Sequence, residues 1–325
     1  MQVRNTGRPV FIPFVYGLAA RISQITLRDM VHDPTYFANS LEAACKLFKY
    51  DGITNAFDSS IEAEACGCEL SWVGNYEIPI VTKGCNLNLQ ASDDLTRNGR
   101  IPILIEVTKR LGISMGKEVA IIGVVTGPLS LTKKLVVGFE ESSGLDSHDP
   151  EIQKAINLSG DLLKRFIKGL CELKIDAVFI REELPGANFF ANLKPFEETY
   201  TMLFNIIRFY NSYPLLIVKN FELEGIQTLY DLLRPSGVIL CGNRFNEEDL
   251  LFLKRLSDSL GMCFGLPIPF GDQSELWEQL NLLNNFVIKN KAGGLFYISD
   301  SEIPYDIPIE TINKVASGIL TEFLT

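Results

Sequence analysis

Histidine is nearly missing from this chain: His32 and His148 are the two in 325 residues. A nucleophilic cysteine needs a neighbouring histidine to lower its pKa, and neither histidine follows a strand-like run. His32 lies beside an Asp-Pro turn and His148 in a polar stretch, so both read as solvated, and a Cys/His hydrolase is disfavoured. Basic runs are also missing. Lys and Arg number 30 against 40 Asp and Glu, a formal net charge of −10, which argues against a nucleic-acid surface but not against a local basic patch for an acidic ligand. No continuous apolar run reaches the roughly 20 residues of a membrane span. Arg4 and Arg8 precede the apolar stretch from Val10 to Ala20 as in a leader. Pro9, Pro13 and Gly17 would break the helix such a leader needs, so Val10 to Tyr16 reads as a first strand. Seven cysteines, an odd number without a disulfide rhythm, point to reduced thiols in a cytoplasmic protein.

What is present is an ordinary globular composition, 46% apolar and 22% charged, long enough for one large α/β barrel or two smaller domains. Strand-like and helix-like segments alternate. Pro34 opens a helix to about Tyr50, with Phe37, Leu41, Ala44, Cys45 and Phe48 at helical spacing. A second strand covers Ile53 to Phe57. Glu69 to Lys83 reads as a hairpin turning at Gly74-Asn75, and Ser92 to Leu111 as a helix interrupted near Gly99 and Pro102. Val119 to Val125 is a third strand, closed by Thr126-Gly127-Pro128, and Pro150 to Leu173 a long helix.

Further strands are expected at Ala177 to Ile180, Pro214 to Val218, Gly237 to Leu240, Cys263 to Ile268 and Gly294 to Ile298. The helices between and after them are Pro195 to Tyr210, Leu223 to Leu233, Glu247 to Leu260, Ser274 to Lys289 and Ile309 to Leu324. Eight strands interleaved with helices predict an α/β fold, a (β/α)8 TIM barrel forming a single domain over residues 1–325. A doubly wound open sheet usually carries a Gly-rich phosphate turn, and neither G-x-G-x-x-G nor G-x-x-x-x-G-K-[ST] occurs.

In a barrel the residues just past each strand share one rim. Here they are Tyr16, Asp58, Thr126, Glu182, Lys219, Cys241, Pro269 and Ser299 to Ser301. Asp58 ends a buried strand and precedes a short helix-like segment, Ile61 to Cys66, stopped by Gly67. It is either a mouth carboxylate or a helix cap. Cys66-Gly67-Cys68 is either a metal pair or packing, with no second Cys pair at finger spacing.

The segment Asp58-Ser-Ser-Ile-Glu-Ala-Glu-Ala-Cys-Gly-Cys-Glu69 resembles one carried by the uroporphyrinogen decarboxylase superfamily, and most its corrinoid branch, the methylcobamide:coenzyme M methyltransferases. The likeness continues through Asp33-Pro34, Thr126-Gly-Pro-Leu-Ser-Leu131, Cys241-Gly-Asn243, Gly293-Gly294 and Glu302-Ile-Pro304. It implies a (β/α)8 barrel. Asp58 matches the aspartate that binds pyrrole NH groups in the decarboxylases. Their Arg-rich first loop is replaced by Val15 to Arg21, their tyrosine position falls at Lys134, and their C-terminal histidine has no counterpart near Asp300. Of the methyltransferases' zinc ligands only Cys241 is matched; the other two positions hold Ile239 and Ser301, so no zinc is expected.

Taken together, the residues and the resemblance imply a corrinoid-dependent methyltransferase-like enzyme without a complete zinc site. A corrinoid (methylcobalamin) presented by a partner corrinoid protein would exchange a methyl group with a small-molecule donor or acceptor. Asp58 and Glu182 are the expected catalytic carboxylates, facing each other across an open cleft. Tyr16, Phe57, Lys219, Cys241, Asn243 and Ser301 are the expected substrate-binding residues. The alternatives are a non-catalytic barrel that keeps a ligand or partner surface, and a uroporphyrinogen decarboxylase.

Overall fold

The computed structural model describes residues 9–87, 94–136, 148–290 and 293–321. In chain order the elements are β1 (Phe11–Phe14), α1 (Gly17–Ile22), α2 (Leu27–His32), α3 (Pro34–Phe48), β2 (Gly52–Thr54), α4 (Ile61–Ala65), β3 (Glu69–Ser71) and β4 (Ile80–Lys83). Then follow α5 (Ile101–Ser114), β5 (Ala120–Thr126), α6 (Pro128–Leu135), α7 (Pro150–Glu172), β6 (Ala177–Pro185), α8 (Gly186–Leu193) and α9 (Glu197–Phe209). The rest are β7 (Tyr213–Lys219), α10 (Ile226–Leu233), β8 (Gly237–Cys241), α11 (Glu247–Leu260), β9 (Cys263–Ile268), α12 (Gln273–Asn290), β10 (Leu295–Glu302) and α13 (Ile309–Thr321).

Eight strands form one sheet in the order β1-β10-β9-β8-β7-β6-β5-β2, with parallel pairing throughout. The ring closes between its first and last members: Asp51 N–H donates to the Phe11 carbonyl at 2.9 Å, and Phe11 N–H donates to Asp51 Oδ2 at 2.8 Å. The result is a (β/α)8 barrel, as the eight apolar runs predicted. Strands covered on both faces read as continuous apolar runs, and all five residues of β8, GVILC, are buried. The helices lay apolar stripes on this wall. In α7, Ile152, Ala155, Ile156, Leu163, Phe166, Ile167 and Leu170 recur at three- and four-residue intervals and are buried. Asp149 caps its first turn by accepting from Glu151 N–H at 2.8 Å.

Several local expectations shift. The second strand stops at Thr54, because Asn55 turns its side chain into the wall: its Oδ1 accepts from Val124 N–H and its Nδ2 donates to Thr108 Oγ1, each at 2.9 Å. The expected 92–111 helix is a 3-10 turn at Leu95–Arg97 followed by α5. The break falls at Gly99, whose φ of +53° lies in the left-handed region that favours glycine. Thr126-Gly127-Pro128 opens α6, with Pro128 in its first turn. The hairpin strands are shorter than expected, and a 72–79 arm joins them. Arg4, Arg8, the 92–93 start of the expected helix and the 322–324 end of the last one lie outside the described residues. Among the described residues no helix is long and apolar enough to cross a membrane.

Candidate active site at the barrel mouth

Asp58 stands four residues past the end of β2, and the chain reaches it through Phe57, whose ring stacks on Phe14 at 4.2 Å. Its carboxylate is fully engaged. Oδ1 accepts from the Ser60 N–H at 2.8 Å and the Ser60 hydroxyl at 2.6 Å, and Oδ2 accepts from Arg100 Nη1 at 2.5 Å. The two charged side chains are 0% and 3% exposed. Arg100 also donates to Glu64 Oε2 at 2.6 Å and to Ser60 Oγ at 2.8 Å, and its guanidinium lies 5.3 Å from the Trp72 ring. Asp58 therefore neither caps α4, whose cap is Ser60, nor stands open to the mouth. A buried guanidinium with five donors is pinned here by two carboxylates and a hydroxyl, the arrangement that lets an ion pair survive desolvation. Glu62 is likewise turned inward, accepting from the Thr126 N–H at 2.9 Å and the Thr126 hydroxyl at 2.6 Å, and burial raises its pKa.

Tyr16 and Glu302 complete this side of the mouth. Tyr16 is 1% exposed, and its hydroxyl has no hydrogen-bond partner among the described residues. Burial, and then the negative charge of Asp58, push its pKa well above the usual phenol value. Glu302, at the end of β10, accepts from the Gly17 N–H. Burial pushes its carboxyl up to about 8, with Asp58 and Glu77 adding to the rise and the Gly17 N–H and Arg181 opposing it. At neutral pH this carboxyl holds its proton, beside an unpartnered hydroxyl and a committed carboxylate.

Glu182 does not face Asp58. Successive side chains along a strand point to opposite sheet faces. Arg181 points into the barrel, its guanidinium 3.9 Å from the Phe57 ring, whereas Glu182 points into the helical layer. There it accepts from the N–H groups of Leu129 and Ser130 at 3.2 and 2.8 Å, from the Ser130 hydroxyl at 2.5 Å and from the Tyr200 hydroxyl. It thus serves the orphan donors at the start of α6. A Cβ on Gly127 would collide with this carboxylate. Burial outweighs the donors and lifts Glu182 to about 7.

The rim carboxylate on this strand is Glu183, ion-paired to Lys134 at 2.7 Å and Arg181 at 3.0 Å. Burial alone would raise its pKa, but those two cations hold it at about 2.

The remaining candidates divide. Cys241 is buried at the mouth, where burial and then Asp300 push its thiol up to about 12 against the pull of Arg181 and Lys219. Lys219 is exposed at the end of β7. Asn243 is structural: it accepts from Phe221 N–H at 2.9 Å and donates to the Phe221 carbonyl at 2.7 Å. Ser301 is exposed and donates to the Glu302 carbonyl at 3.3 Å. One thiol at Cys241, an apolar Ile239 fully buried two residues before it and the Ser301 hydroxyl do not supply a tetrahedral zinc donor set. Among the described residues no three His, Cys, Asp or Glu side chains converge as a metal site.

The arrangement brings Tyr16, Phe57 and Asp58 together with Arg100 and Glu302, and Cys241 within the field of Lys219 and Arg181. Sequence reasoning gave no role to Arg100 or Glu302. Arg100 carries one weak local signal, its place in the helix break beside Gly99. Glu302 follows directly on the expected strand-end residues Ser299 to Ser301 and opens the Glu302-Ile-Pro304 stretch of the family likeness, which gave it no role. An open groove of about 840 Å³ between α7, α9 and α10, lined in part by Lys164, Met202, Phe209 and Leu232, lies on the outer helical layer away from these groups.

The model of the family described as Uroporphyrinogen decarboxylase (URO-D) matches residues 7–192. Two curated relatives, each a methylcobamide:CoM methyltransferase MtbA, come from Methanosarcina acetivorans and Methanosarcina mazei. Each is 25% identical over 167 residues, 49% of this chain and 49% of the relative. The chain thus spans about half the length of the curated relatives it matches. A solved methyltransferase from Methanosarcina mazei superimposes with a TM-score of 0.78 at 16% identity, covering 98% of this chain and 94% of that one. A B12-independent methionine synthase from Shewanella sp. W3-18-1 gives 0.55 at 12% identity, covering 89% and 88%. At these identities the two structures speak for the fold alone. The family match spans more than half of the 325 residues, and the chain belongs to the uroporphyrinogen decarboxylase (URO-D) family.

Proposed function

We propose that this barrel is a methyltransferase that exchanges a methyl group between a small substrate and a corrinoid presented by a partner protein, and that it does so without zinc. The names of its curated relatives support the corrinoid part of the reading. The observation that carries the chemistry is the proton-bearing Glu302 carboxyl beside the unpartnered Tyr16 hydroxyl. A bound corrinoid supplies a cobalt centre that accepts or donates the methyl group. What this chain supplies is the other half. When an oxygen or nitrogen loses its methyl group it needs a proton, and Glu302 holds one at neutral pH. The unpartnered Tyr16 hydroxyl would donate a hydrogen bond to the same heteroatom. The negative charge of Asp58, paired with Arg100, helps to keep the Tyr16 and Glu302 protons in place. Phe14 and Phe57 wall the site against water, and the exposed Lys219 offers a cation to an acidic substrate.

The decisive substrate question is one of charge. A neutral acid and a phenol suit an ether oxygen, whereas a methylated ammonium would seek a bare carboxylate. The expected preference is therefore for methoxy compounds over methylamines. A comparison of methoxy compounds, methylated amines and carboxylates, with a corrinoid protein as methyl acceptor, tests it. Turnover confined to methylamines would overturn the role given to Glu302. Absence of binding and turnover with every class would leave a non-catalytic barrel.

A further inference from the structure

The Cys66-Gly67-Cys68 segment finds its third sulfur elsewhere in the chain. Cys68 stands just before β3 and Cys85 just after β4, so the two flank the open end of the antiparallel hairpin. Their thiols lie near enough to shift each other, Cys68 upward and Cys85 downward. Both are fastened to the end of α6, Cys68 Sγ to the Lys134 carbonyl at 3.8 Å and Cys85 N–H to the Leu135 carbonyl at 3.3 Å. Cys85 is part-exposed, whereas Cys66 and Cys68 are buried. The arm between the strands reaches the active site. Trp72 lies on Arg100, the Asn75 carbonyl accepts from Leu27 N–H at 2.7 Å, and the Tyr76 carbonyl lies against Gly17.

We propose that Cys68 and Cys85 are a redox-active dithiol that a low-molecular-weight disulfide oxidises reversibly, closing the base of the hairpin whose arm rests on the Asp58–Arg100 pair. The part-exposed Cys85 sulfur, as thiolate, attacks the small disulfide RSSR. The S–S bond breaks, RS⁻ leaves and takes a proton, and Cys85 carries a mixed disulfide. Cys68 then loses its proton and attacks the Cys85 sulfur, expelling the second R group as RSH. In sum two cysteine thiols are oxidised to one disulfide and RSSR is reduced to two RSH. The neighbouring Cys68 thiol lowers the pKa of the Cys85 thiol, and together with its part-exposure this favours Cys85 as the attacking sulfur. Burial raises that of Cys66 and removes it from the first step. The disulfide would restrict the arm and with it the Trp72 ring over Arg100.

The test uses the full chain in oxidised and reduced glutathione mixtures, followed by non-reducing peptide mapping. The expected product has lost two hydrogens and joins Cys68 to Cys85; Cys66→Ser leaves it intact. Cys68→Ser should instead trap one glutathione on Cys85, and Cys85→Ser should abolish both products. In a Trp277→Phe background the remaining Trp72 emission should shift on oxidation and return with dithiothreitol. Trypsin cleavage after the exposed Lys83 should slow at least tenfold in the oxidised form. A persistent mixed disulfide on Cys85 in the wild-type chain, a Cys66–Cys68 link or no oxidation would each overturn the proposal. So would a correct disulfide that leaves Trp72 emission and Lys83 cleavage unchanged.

Discussion

Glu302 and Asp58 show how two carboxyls in one mouth acquire different roles. Asp58 has three hydrogen bonds, one of them from a buried guanidinium; Glu302 has the Gly17 N–H and little else to offset burial. For Glu302 the native carboxyl has its pKa near 8 against 4.5 when unfolded. The native state therefore binds more protons than the unfolded state between those values, and stability falls as pH rises through that window. Glu302→Gln should remove that slope, making the variant more stable than the wild type near pH 8 by about 2 kcal/mol once part-exposure is discounted. Urea midpoints at pH 5 and pH 8.5 read this directly, and parallel curves for the two proteins would contradict it. Asp58→Asn behaves otherwise. It leaves a buried guanidinium short of its charge partner, at a cost of about 3–5 kcal/mol. The double variant Asp58→Asn with Arg100→Met should recover part of that loss in a denaturation cycle. Additive losses would mean that the pair is not coupled.

At the scale of elements, the instructive case is β6. Its apolar start, Ala177 to Ile180, was legible as a strand, but the strand runs on to Pro185. Side-chain parity then sends Arg181 into the barrel and Glu182 outward to α6 and α9. A list of strand-end residues contains position but not parity, which is why Glu182 was expected at the mouth. Arg100 and Glu302 were hidden for another reason: their partners Asp58 and Gly17 are far away in sequence, and periodicity reports only a residue's own element. Glu182→Ala should expose this division of labour. It strips a counter-charge from the α6 N-terminus and leaves the Tyr200 hydroxyl buried without its acceptor, an expected loss of about 3 kcal/mol. Ligand affinity of the folded fraction at the mouth should change less than threefold. A variant that keeps its stability and loses turnover would restore Glu182 to the chemistry.

At the scale of the whole molecule, the barrel was legible because parallel strands covered on both sides must be apolar throughout, and eight such runs alternate with helical spacing. The site was only half legible. Tyr16, Phe57 and Asp58 were expected near one another past the strand ends, whereas the raised Glu302 carboxyl and the buried Arg100 beside them emerge only in three dimensions. The side chains at the expected ligand positions, Ile239, Cys241 and Ser301, make their own prediction. Purified and dialysed protein should carry no stoichiometric zinc, and Cys241→Ser should not alter turnover through metal loss. About one zinc per chain that disappears in Cys241→Ser would return thiol activation to the reaction.

The most direct measurement is the visible spectrum of a corrinoid protein mixed with this chain and a methoxy substrate, followed as the cobalt centre gains its methyl group, for wild type and Glu302→Gln across pH. The wild type should turn over below about pH 8 and lose activity as the Glu302 proton is lost. Glu302→Gln should be slower by roughly 10²–10⁴-fold, with binding of the substrate largely kept. A Glu302→Gln variant that transfers methyl groups at the wild-type rate, with the same pH profile, would contradict the account.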